Sequence, residues 1–573
     1  MWKPTNLVEL LRWRGKNQTD QLAYRFLKDG ELEEVSITYG ELDRRAQSLG
    51  AKLQVSTKTG DRVLLLVSPG IDFIVAYFGC LYANTIAVPV SPPHPLRLET
   101  SLANTIRIAK DAAPTAAILN SSLFDAVMAQ KNIIDQFTGI QLLVIEGDSS
   151  KDWAENWIET KTNEEDIAFL QYTSGSTTDP KGVMVSHGNL IHNLSLIEQS
   201  FGQTSQSQTV IWLPPYHDMG LIGGILQPLY TGNPVTLIPH LLFLQRPIRW
   251  LKAISRYRAT TSGGPNFAYD LCFRKVKPEQ REQLDLSSWE VAFNGAEPVS
   301  YKTMEQFANF FAPCGFRMES FLPCYGLAES TLLVSGGPKC RLPVNLNLEK
   351  SELEKNHIKI TPERNNYTQN VVSCGQIMKS QQIRIVDPET QNTCIPDQIG
   401  EIWISSPSIA QGYWNKPMET ASTFNANIAD TDEGPFLRTG DLGFLYNGEL
   451  YISGRLKNLI IVDGKNYYAH DLERTVQTSH PEITPLGCAV FSINNSDREQ
   501  IVVMAEIKLK AFEEIEEVKK AIRKAISEHH ELPLFDIKLV SPGGIPRTTS
   551  GKIKHFLCRQ NYLSNNLKEI TSI

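Results

Sequence analysis

The chain has 573 residues, which is too many for one compact core, so a large domain with subdomains and a smaller domain are expected. The formal net charge of −7 argues against a nucleic-acid-binding protein, which normally carries an excess of basic residues. The nine cysteines have neither paired nor zinc-ligand spacing, which indicates reduced thiols and a cytoplasmic protein. No basic stretch followed by an apolar segment opens the sequence, so no secretory signal is expected.

The most apolar stretch, residues 73–90, approaches the length of a membrane span. Gly79, Asn84, Thr85 and Pro89 interrupt it. It is therefore predicted to be a buried helix followed by a buried strand, and no integral membrane segment is expected.

Short apolar runs rich in Val and Ile alternate with helical patterns, as at 63–67, 116–119, 142–145 and 235–238. This alternation predicts an α/β fold with largely parallel sheets. From about residue 383 the pattern becomes rich in strands, which predicts a β-subdomain over about 376–455 that completes a large N-terminal domain, residues 1–455.

After residue 455 the pattern restarts. Predicted strands at 458–462, near 489 and at 501–507, with helices at 470–478 and 513–529, form a small α+β domain over 456–573. Ahead of the β-subdomain lies a polar segment of about 340–372, rich in Asn, Glu and Lys. A connection of that length indicates either a function or a tolerated surface insertion.

The segment 172–182 has the composition of a loop that wraps phosphates. Hydroxyl and backbone N–H groups donate to phosphate oxygens, a glycine lets the main chain approach closely, and a lysine adds positive charge. The residues concerned are Thr173, Ser174, Gly175, Ser176, Thr177, Thr178 and Lys181. An ordinary Ser/Thr-rich surface loop is the alternative.

Two further stretches have the composition of a slot for a flat base, because small residues beside an aromatic ring leave room for stacking. They are Asn294, Gly295, Ala296 and Glu297, and Tyr325, Gly326, Leu327 and Ala328. Glu329 follows directly and offers a hard oxygen ligand for a phosphate-bound Mg²⁺. Either stretch alone would be a weak signal.

Three single residues stand out further along the chain. Asp441 lies between glycines after a predicted strand, where it could accept both ribose hydroxyls or simply occupy a turn. Arg455 could pair with a phosphate or only with Asp441. Lys552 follows a glycine in a predicted turn, where its ammonium could neutralise charge that develops on an α-phosphate.

His217 and Asp218 begin an apolar, glycine-containing segment that is predicted to be a helix. Such a helix can line a tunnel for an acyl chain while its polar end meets a carboxylate. A buried helix with a capping Asp explains the pattern almost as well.

Together, and in this order, these motifs resemble the signatures of the adenylate-forming superfamily. The His217-Asp218-Met219-Gly220-Leu221 form, the Asn-Gly-Ala-Glu-Pro form and the Ser373-Cys374-Gly375 stretch look most like fatty acyl-AMP ligases. Two departures are visible: Thr178 and Asp179 stand where many members have a glycine, and Asn458 stands where relatives usually have Asp.

The resemblance implies a role for each of these residues. Lys552 would be the catalytic lysine of a mobile C-terminal domain, with His217 and Arg455 beside it, and Lys457 and Asn458 would form the hinge. Asp441 would hold the ribose and Tyr325 would stack on adenine. Glu329 and Thr173 would serve Mg²⁺.

The implied activity is ATP-dependent conversion of a medium- or long-chain fatty acid to an acyl-adenylate. Transfer to the phosphopantetheine thiol of an acyl carrier protein, supplied in trans, would follow. In that family an insertion ahead of the Ser-Cys-Gly stretch separates the ligases from acyl-CoA synthetases, and the segment at 340–372 stands there. The alternatives are a long-chain fatty acyl-CoA synthetase and a non-catalytic nucleotide- or lipid-binding protein. A P-loop NTPase is disfavoured because the sequence has no Gly-x4-Gly-Lys-Ser/Thr match.

Overall fold

A computed structural model describes residues 3–94, 96, 98–146, 153–173, 180–365, 367–462, 465–495, 498–508, 512–530, 532–548, 551–567 and 569–570. Among these residues, every helix is too short or too polar to cross a membrane.

The elements of the first part of the chain are α1 (Leu7–Asn17), β1 (Leu22–Leu27), β2 (Glu34–Thr38), α2 (Tyr39–Ser56), β3 (Arg62–Leu66), α3 (Ile71–Tyr82), β4 (Ile86–Pro89), α4 (Leu98–Ser101), α5 (Ala103–Ala112), β5 (Ala116–Asn120), α6 (Ser121–Met128), α7 (Lys131–Ile134) and β6 (Gln141–Ile145). The central part contains β7 (Ile167–Thr173), β8 (Lys181–Ser186), α8 (His187–Phe201), β9 (Thr209–Ile211), α9 (Gln227–Thr231), β10 (Val235–Leu237), α10 (His240–Gln245), α11 (Ile248–Tyr257), β11 (Thr261–Gly264), α12 (Asn266–Lys275), α13 (Pro278–Arg281), β12 (Val291–Asn294), α14 (Tyr301–Phe311), β13 (Phe321–Gly326) and β14 (Leu333–Gly336).

The remaining elements are β15 (Asn345–Glu349), α15 (Lys350–Leu353), β16 (Thr368–Ile377), β17 (Gln382–Val386), β18 (Gly400–Ser405), α16 (Pro417–Phe424), β19 (Leu437–Tyr446), β20 (Glu449–Arg455), β21 (Leu459–Val462), β22 (Lys465–Tyr468), α17 (Ala469–Ser479), β23 (Ile483–Asn495), β24 (Arg498–Ile507), α18 (Phe512–His530), β25 (Leu534–Val540) and α19 (His555–Leu563). A π-helix spans Met219–Leu226, and short 3₁₀ helices lie at Asp135–Phe137, Ala154–Asn156, Ala312–Cys314, Met318–Ser320, Ala328–Ser330 and Leu456–Asn458.

A six-stranded sheet has the order β6-β5-β3-β4-β7-β8 and is parallel except for the β7–β8 pair. Its central strands are apolar and buried because helices cover both faces, as parallel sheets require. Helix α3 is buried along almost its whole length and leads into β4. The apolar stretch at 73–90 is therefore the predicted core helix and strand.

A second, fourteen-stranded sheet runs in the order β17-β18-β19-β20-β16-β14-β13-β12-β11-β9-β10-β1-β2, with β15 attached to β16. It is parallel from β13 to β1 and antiparallel from β13 to β17. The strand-rich part predicted over 376–455 is therefore not a separate sheet, because β14 joins it to the α/β part. Its first strand, β16, begins at Thr368, a few residues before the predicted start. The mixed α/β class predicted from the sequence is confirmed.

Beyond β20, the chain forms a three-stranded sheet, β23-β24-β25, and a separate hairpin, β21-β22. Helix α18 places Val518, Ile522 and Ile526 against this sheet because they recur at helical spacing. These side chains and their neighbours form a hydrophobic core distinct from those of the large sheets.

The polar segment before Cys374 is structured. Its strand β15 pairs antiparallel with β16, and the short helix α15 follows. The segment contacts the C-terminal part of the chain through polar groups: Gln369 Nε2 donates to Asp471 Oδ2 at 2.7 Å, and the Asn466 backbone N–H donates to the Glu354 carbonyl at 3.0 Å.

Candidate functional site

A large cavity of about 1680 Å³ lies between the sheets and the C-terminal part of the chain. Residues that are far apart in sequence line it together, including His217, Glu297, Tyr325, Asp441 and Lys552. Tertiary folding therefore gathers four of the predicted motifs, together with the predicted lysine, around one space.

The Asp441 carboxylate is the most firmly held group of the cavity wall. It is 6% exposed, its Oδ2 accepts from the Tyr325 hydroxyl at 2.7 Å, and its Oδ1 accepts from Arg455 Nε at 2.7 Å. Asp441 lies inside β19, opposite Arg455 on β20, and not after a strand as predicted. Because each carboxylate oxygen can accept more than one hydrogen bond, both can still receive ribose hydroxyls.

Arg455 is thus paired with Asp441, one of the two possibilities left open by the sequence. The Asp441 carboxylate raises the pKa of Arg455 above its usual value. Burial and the same carboxylate raise the pKa of the Tyr325 hydroxyl, which stays a neutral donor. This three-residue network fixes the Tyr325 ring against the cavity.

The small residues of the predicted base slot are explained by close backbone contacts. A Cβ at Gly326 would lie 1.9 Å from the Leu332 carbonyl oxygen, and one at Gly295 would lie 2.8 Å from that of Cys324. Ala296 has a positive φ of 68°. Asn294 is fully buried behind this wall, where its amide donates to Asn266 Oδ1 at 3.4 Å, and so it supports the slot from behind.

Glu329 lies on the 3₁₀ helix Ala328–Ser330, and its Oε1 accepts from the Tyr413 hydroxyl at 2.9 Å. Among the described residues, no three His, Cys, Asp or Glu side chains form a metal cluster. A single carboxylate nevertheless fits Mg²⁺, because nucleotide-bound Mg²⁺ usually takes one or two carboxylates and completes its shell with phosphates and water.

Lys181 contacts neighbours that the sequence did not suggest. Its ammonium forms an ion pair with Glu419 and lies 4.9 Å from the centre of the Tyr413 ring. Tyr413 therefore links the predicted phosphate lysine to the predicted metal carboxylate. No motif pointed to Tyr413 or Glu419, because each is an isolated residue in a surface-like context.

The predicted phosphate loop joins the antiparallel strands β7 and β8. Ser174, Gly175, Ser176, Thr177 and Thr178 lie outside the described residues, as does the side chain of Thr173. Their proposed contacts with phosphate stay predictions. The strand that leads into the loop is anchored by the Tyr172 hydroxyl, which donates to Asp111 Oδ2 at 2.6 Å.

Lys552 reaches this cavity from the C-terminal part of the chain. Its charge acts on both His217 and Glu297, which belong to separate parts of the N-terminal wall. Burial, with the Lys552 and His240 charges, lowers the pKa of His217 to about 4, although Asp218 opposes this. His217 is therefore a neutral imidazole at pH 7.

Asp218 caps the π-helix Met219–Leu226, as its Oδ1 accepts from the Met219 backbone N–H at 2.7 Å. The helix packs tightly, since a Cβ at Gly220 would lie 2.1 Å from the Pro214 carbonyl oxygen. Apolar side chains from this helix, from α8 and from the strands continue the cavity: Met219, Ile197, Phe201, Phe293, Leu332 and Leu333. The tunnel-lining residues outside the helix carry no sequence signal because they are ordinary core residues.

Lys457 and Asn458, the predicted hinge, form the 3₁₀ helix between β20 and β21 and also line the cavity. The chain leaves the large sheet at this point.

Comparisons with known proteins agree on the class of enzyme. The model of the AMP-binding enzyme family matches residues 11–414, and that of the Disco-interacting protein 2-like AMP domain matches 457–572. The medium-chain-fatty-acid–[acyl-carrier-protein] ligase JamA of Moorena producens is 43% identical, covering 99% of this chain and 97% of that protein. The ligase TtuA of Teredinibacter turnerae, which has the same description, is 35% identical over 98% of this chain and 94% of its own length.

Solved structures give the same picture. A fatty acyl-adenylate ligase of Legionella pneumophila, solved with acyl adenylate and pyrophosphate, is 40% identical with a TM-score of 0.77, covering 99% of this chain and 97% of that one.

Proposed function

Because the chain belongs to the fatty acyl-AMP ligase family of AMP-binding enzymes, we propose that it activates a medium- or long-chain fatty acid with ATP and transfers the acyl group to an acyl carrier protein. In the first half-reaction, a carboxylate oxygen of the acid attacks the α-phosphorus of ATP. The bond from that phosphorus to the bridging oxygen breaks, and pyrophosphate leaves with the electron pair. In the second, the phosphopantetheine thiolate attacks the acyl carbon and AMP leaves.

One observation carries this proposal: Lys552 faces His217 and Glu297 across a cavity whose opposite wall holds Asp441. A ribose on Asp441 and a base beside Tyr325 would direct the α-phosphate toward the lysine. Both reactants are anions, so a fixed cation between them lowers the barrier by stabilising the charge that develops in the transition state. The neutral His217 adds no charge and can act as a hydrogen-bond partner for the acid.

Glu329 would hold Mg²⁺, with Thr173 as a further oxygen donor. A bound Mg²⁺ would neutralise phosphate charge and help pyrophosphate to leave. Tyr413 fixes the Glu329 carboxylate by its hydrogen bond, and Lys181, stacked on Tyr413, keeps a second positive charge nearby.

The tunnel supports an apolar acid. Its lining includes Phe201, Phe293 and Leu332, which provide apolar contact for an acyl chain. Each CH₂ of a fatty acyl chain that moves from water into the tunnel stabilises the complex by roughly 0.8 kcal/mol. The preferred chain length should therefore match the depth of the tunnel.

A carrier protein is the acceptor favoured here over free coenzyme A. The structured segment between β14 and β16 contacts the C-terminal domain through Gln369 and Glu354. Such contacts favour the arrangement in which Lys552 faces the cavity, and they oppose the domain rotation that the second half-reaction requires in this family. A docked carrier protein can offset that cost with its own contacts. The cytoplasmic location expected from the sequence stays a prediction.

The test combines two measurements on the full-length protein. A panel of fatty acids is incubated with ATP and Mg²⁺, and the products are identified by mass spectrometry; acyl-AMP and pyrophosphate are expected. The purified acyl-AMP complex is then given either CoA or a carrier protein bearing phosphopantetheine. Rapid acyl-CoA formation would favour the acyl-CoA synthetase instead, and release of orthophosphate, or no acyl-AMP with any acid, would contradict the proposal as a whole.

A further inference from the structure

The turn that carries Lys552 is closed by its own hydrogen bonds. The Thr548 backbone N–H donates to the Lys552 carbonyl at 2.7 Å, and the Lys552 N–H donates to Thr548 Oγ1 at 3.0 Å. Arg547 pairs with Ile553 across the turn, and Gly551 has a φ of +88°. The described residues on either side of the turn are therefore bonded to each other, and the direction of Lys552 depends on how they are fixed to the domain.

On one side of the turn, Arg547 provides the attachment. Its Nη2 donates to the Leu486 carbonyl on β23 at 2.5 Å, and its Nη1 donates to the Gly551 carbonyl at 3.1 Å. Just before it, the Ile545 backbone N–H donates to Glu506 Oε1 on β24 at 3.0 Å.

On the other side, an ion pair provides the attachment. His555 is the first residue of α19, and its Nε2 lies 2.5 Å from Glu473 Oε1 on α17. The same oxygen accepts from the Val490 backbone N–H on β23 at 3.0 Å. The two side chains are 21% and 14% exposed, so solvent screens them only partly. The pair thus joins the start of α19 to both α17 and β23.

The surroundings of the pair are closely balanced in charge. Two carboxylates, from Glu473 and Glu506, face two cations, from Arg547 and protonated His555. The thiols of Cys488 and Cys558 also face Glu473, and burial raises the pKa of both, to about 12 for Cys558, so they stay neutral. Burial alone lowers the pKa of His555, but the Glu473 carboxylate and its hydrogen bond raise it above the usual value.

We propose that Glu473 and His555 are positioning residues for the catalytic lysine: their ion pair holds the start of α19, and thereby the turn, in the orientation that directs Lys552 at the α-phosphate. This rests on the proposed function. Both side chains also line the cavity, and in this role they act through the position of Lys552. Because the pKa of His555 is raised on folding, the ion pair is complete at and below the usual histidine pKa of about 6.5 and is lost as the pH rises through the folded value.

The experiment compares the two half-reactions in Glu473→Gln and His555→Gln variants of the full chain. Pyrophosphate release measures adenylation, and transfer from purified acyl-AMP to the carrier protein measures the second step, which does not use Lys552 at the α-phosphate. We expect kcat for adenylation to fall between about tenfold and a hundredfold, because small misplacements of a reacting group carry costs of that size. KM for ATP and the rate of acyl transfer should stay near their wild-type values.

A pH profile separates positioning from stability. His555→Arg keeps a cation at every pH, so it should retain most adenylation activity at pH 7 and lose the part of the alkaline decline that His555 causes. Glu473→Gln has no ion pair at any pH, so that part of the decline should be absent there as well. A profile that is the same in His555→Arg and the wild type would overturn the proposal.

The matched control is Glu569→Gln. It removes a similar half-buried ion pair of the same domain, with Lys538 at 3.0 Å, without touching the turn. If Glu569→Gln and Glu473→Gln lower Tm equally and also lower the adenylation rate equally, the proposal is overturned. It is also overturned if Glu473→Gln slows both half-reactions to the same extent. If the wild-type protein made no acyl-AMP, the proposed function would fail instead.

Discussion

The two walls of the cavity differ in how they hold their polar groups. On the N-terminal wall, Asp441 is buried and is held at 2.7 Å each by Tyr325 and Arg455, which lie on other strands of the same sheet. On the C-terminal wall, Lys552 is exposed on a turn.

The contacts between the domains are both apolar and polar: the buried Tyr468 of the C-terminal domain shares a hydrophobic cluster with Leu348 and Leu442. The polar contacts include Gln369 with Asp471 at 2.7 Å and Arg474 Nη2 with Ser300 Oγ at 3.3 Å. Each such bond contributes about 0.5–1.5 kcal/mol, far less than a buried core contact network. This difference agrees with the prediction that the nucleotide is recognised by the N-terminal wall and that the C-terminal domain brings Lys552 to it reversibly.

The largest effect should come from the C-terminal wall. In Lys552→Ala, pyrophosphate release should fall about 10²–10³-fold, because a preorganised charge at the transition state is removed. ATP binding, measured by calorimetry, should be nearly unchanged, since the N-terminal wall is intact. Lys524→Ala, which removes an exposed ammonium of the same domain, is the control. Unchanged pyrophosphate release in Lys552→Ala would remove the assignment.

The next largest effect should come from the N-terminal wall. Asp441→Asn weakens charge-assisted hydrogen bonds worth about 1.5–3 kcal/mol, so we expect KM for ATP to rise about 10–100-fold. The exposed Asp430, which accepts from Thr393 Oγ1 at 3.4 Å, provides the control variant Asp430→Asn. A fall in kcat with no change in KM would show that Asp441 acts on the chemistry and not on binding.

A smaller effect should follow when the contact between the domains is weakened. Gln369→Ala removes the hydrogen bond to Asp471, and we expect acyl-CoA formation to rise about two- to tenfold, the equivalent of one neutral or charge-assisted hydrogen bond. Deleting 345–366 instead would remove β15 from the edge of the sheet and confuse the result. Asn370→Ala, which breaks a 2.9 Å bond to Asn347 within the segment, is the control. Equal gains in both variants would contradict a role for the contact.

The last effect concerns the pH dependence of stability and not catalysis. Because the pKa of His217 is about 4 in the folded protein and about 6.5 when unfolded, the unfolded chain binds the extra proton between these values. Stability contributed by the neutral imidazole is thus lost as the pH falls from 6.5 towards 4. Between pH 7 and pH 5 the free energy of unfolding should therefore fall less in His217→Gln than in the wild type, by up to about 2 kcal/mol. Urea unfolding at both pH values measures this difference. Parallel curves for the two proteins would contradict the lowered pKa.

The sequence determined the elements and the chemistry of the site. Periodicity placed α3, α17 and α18 within a few residues of their observed bounds, because local side-chain spacing decides which face of a helix is buried. Small residues at Gly295 and Gly326 predicted a slot for a flat base, and the type and order of Asp441, Glu329 and Lys552 predicted nucleotide chemistry.

Only the tertiary structure decided the partners. Arg455 could have paired with a phosphate but is bound to Asp441 across two strands, and Lys181 contacts Glu419 and Tyr413, which no local pattern suggested. A charged side chain meets many opposite charges along a chain of this length, and no local spacing selects among them. The selection is made by which distant strands become neighbours in the sheet, and that depends on the burial of the whole core.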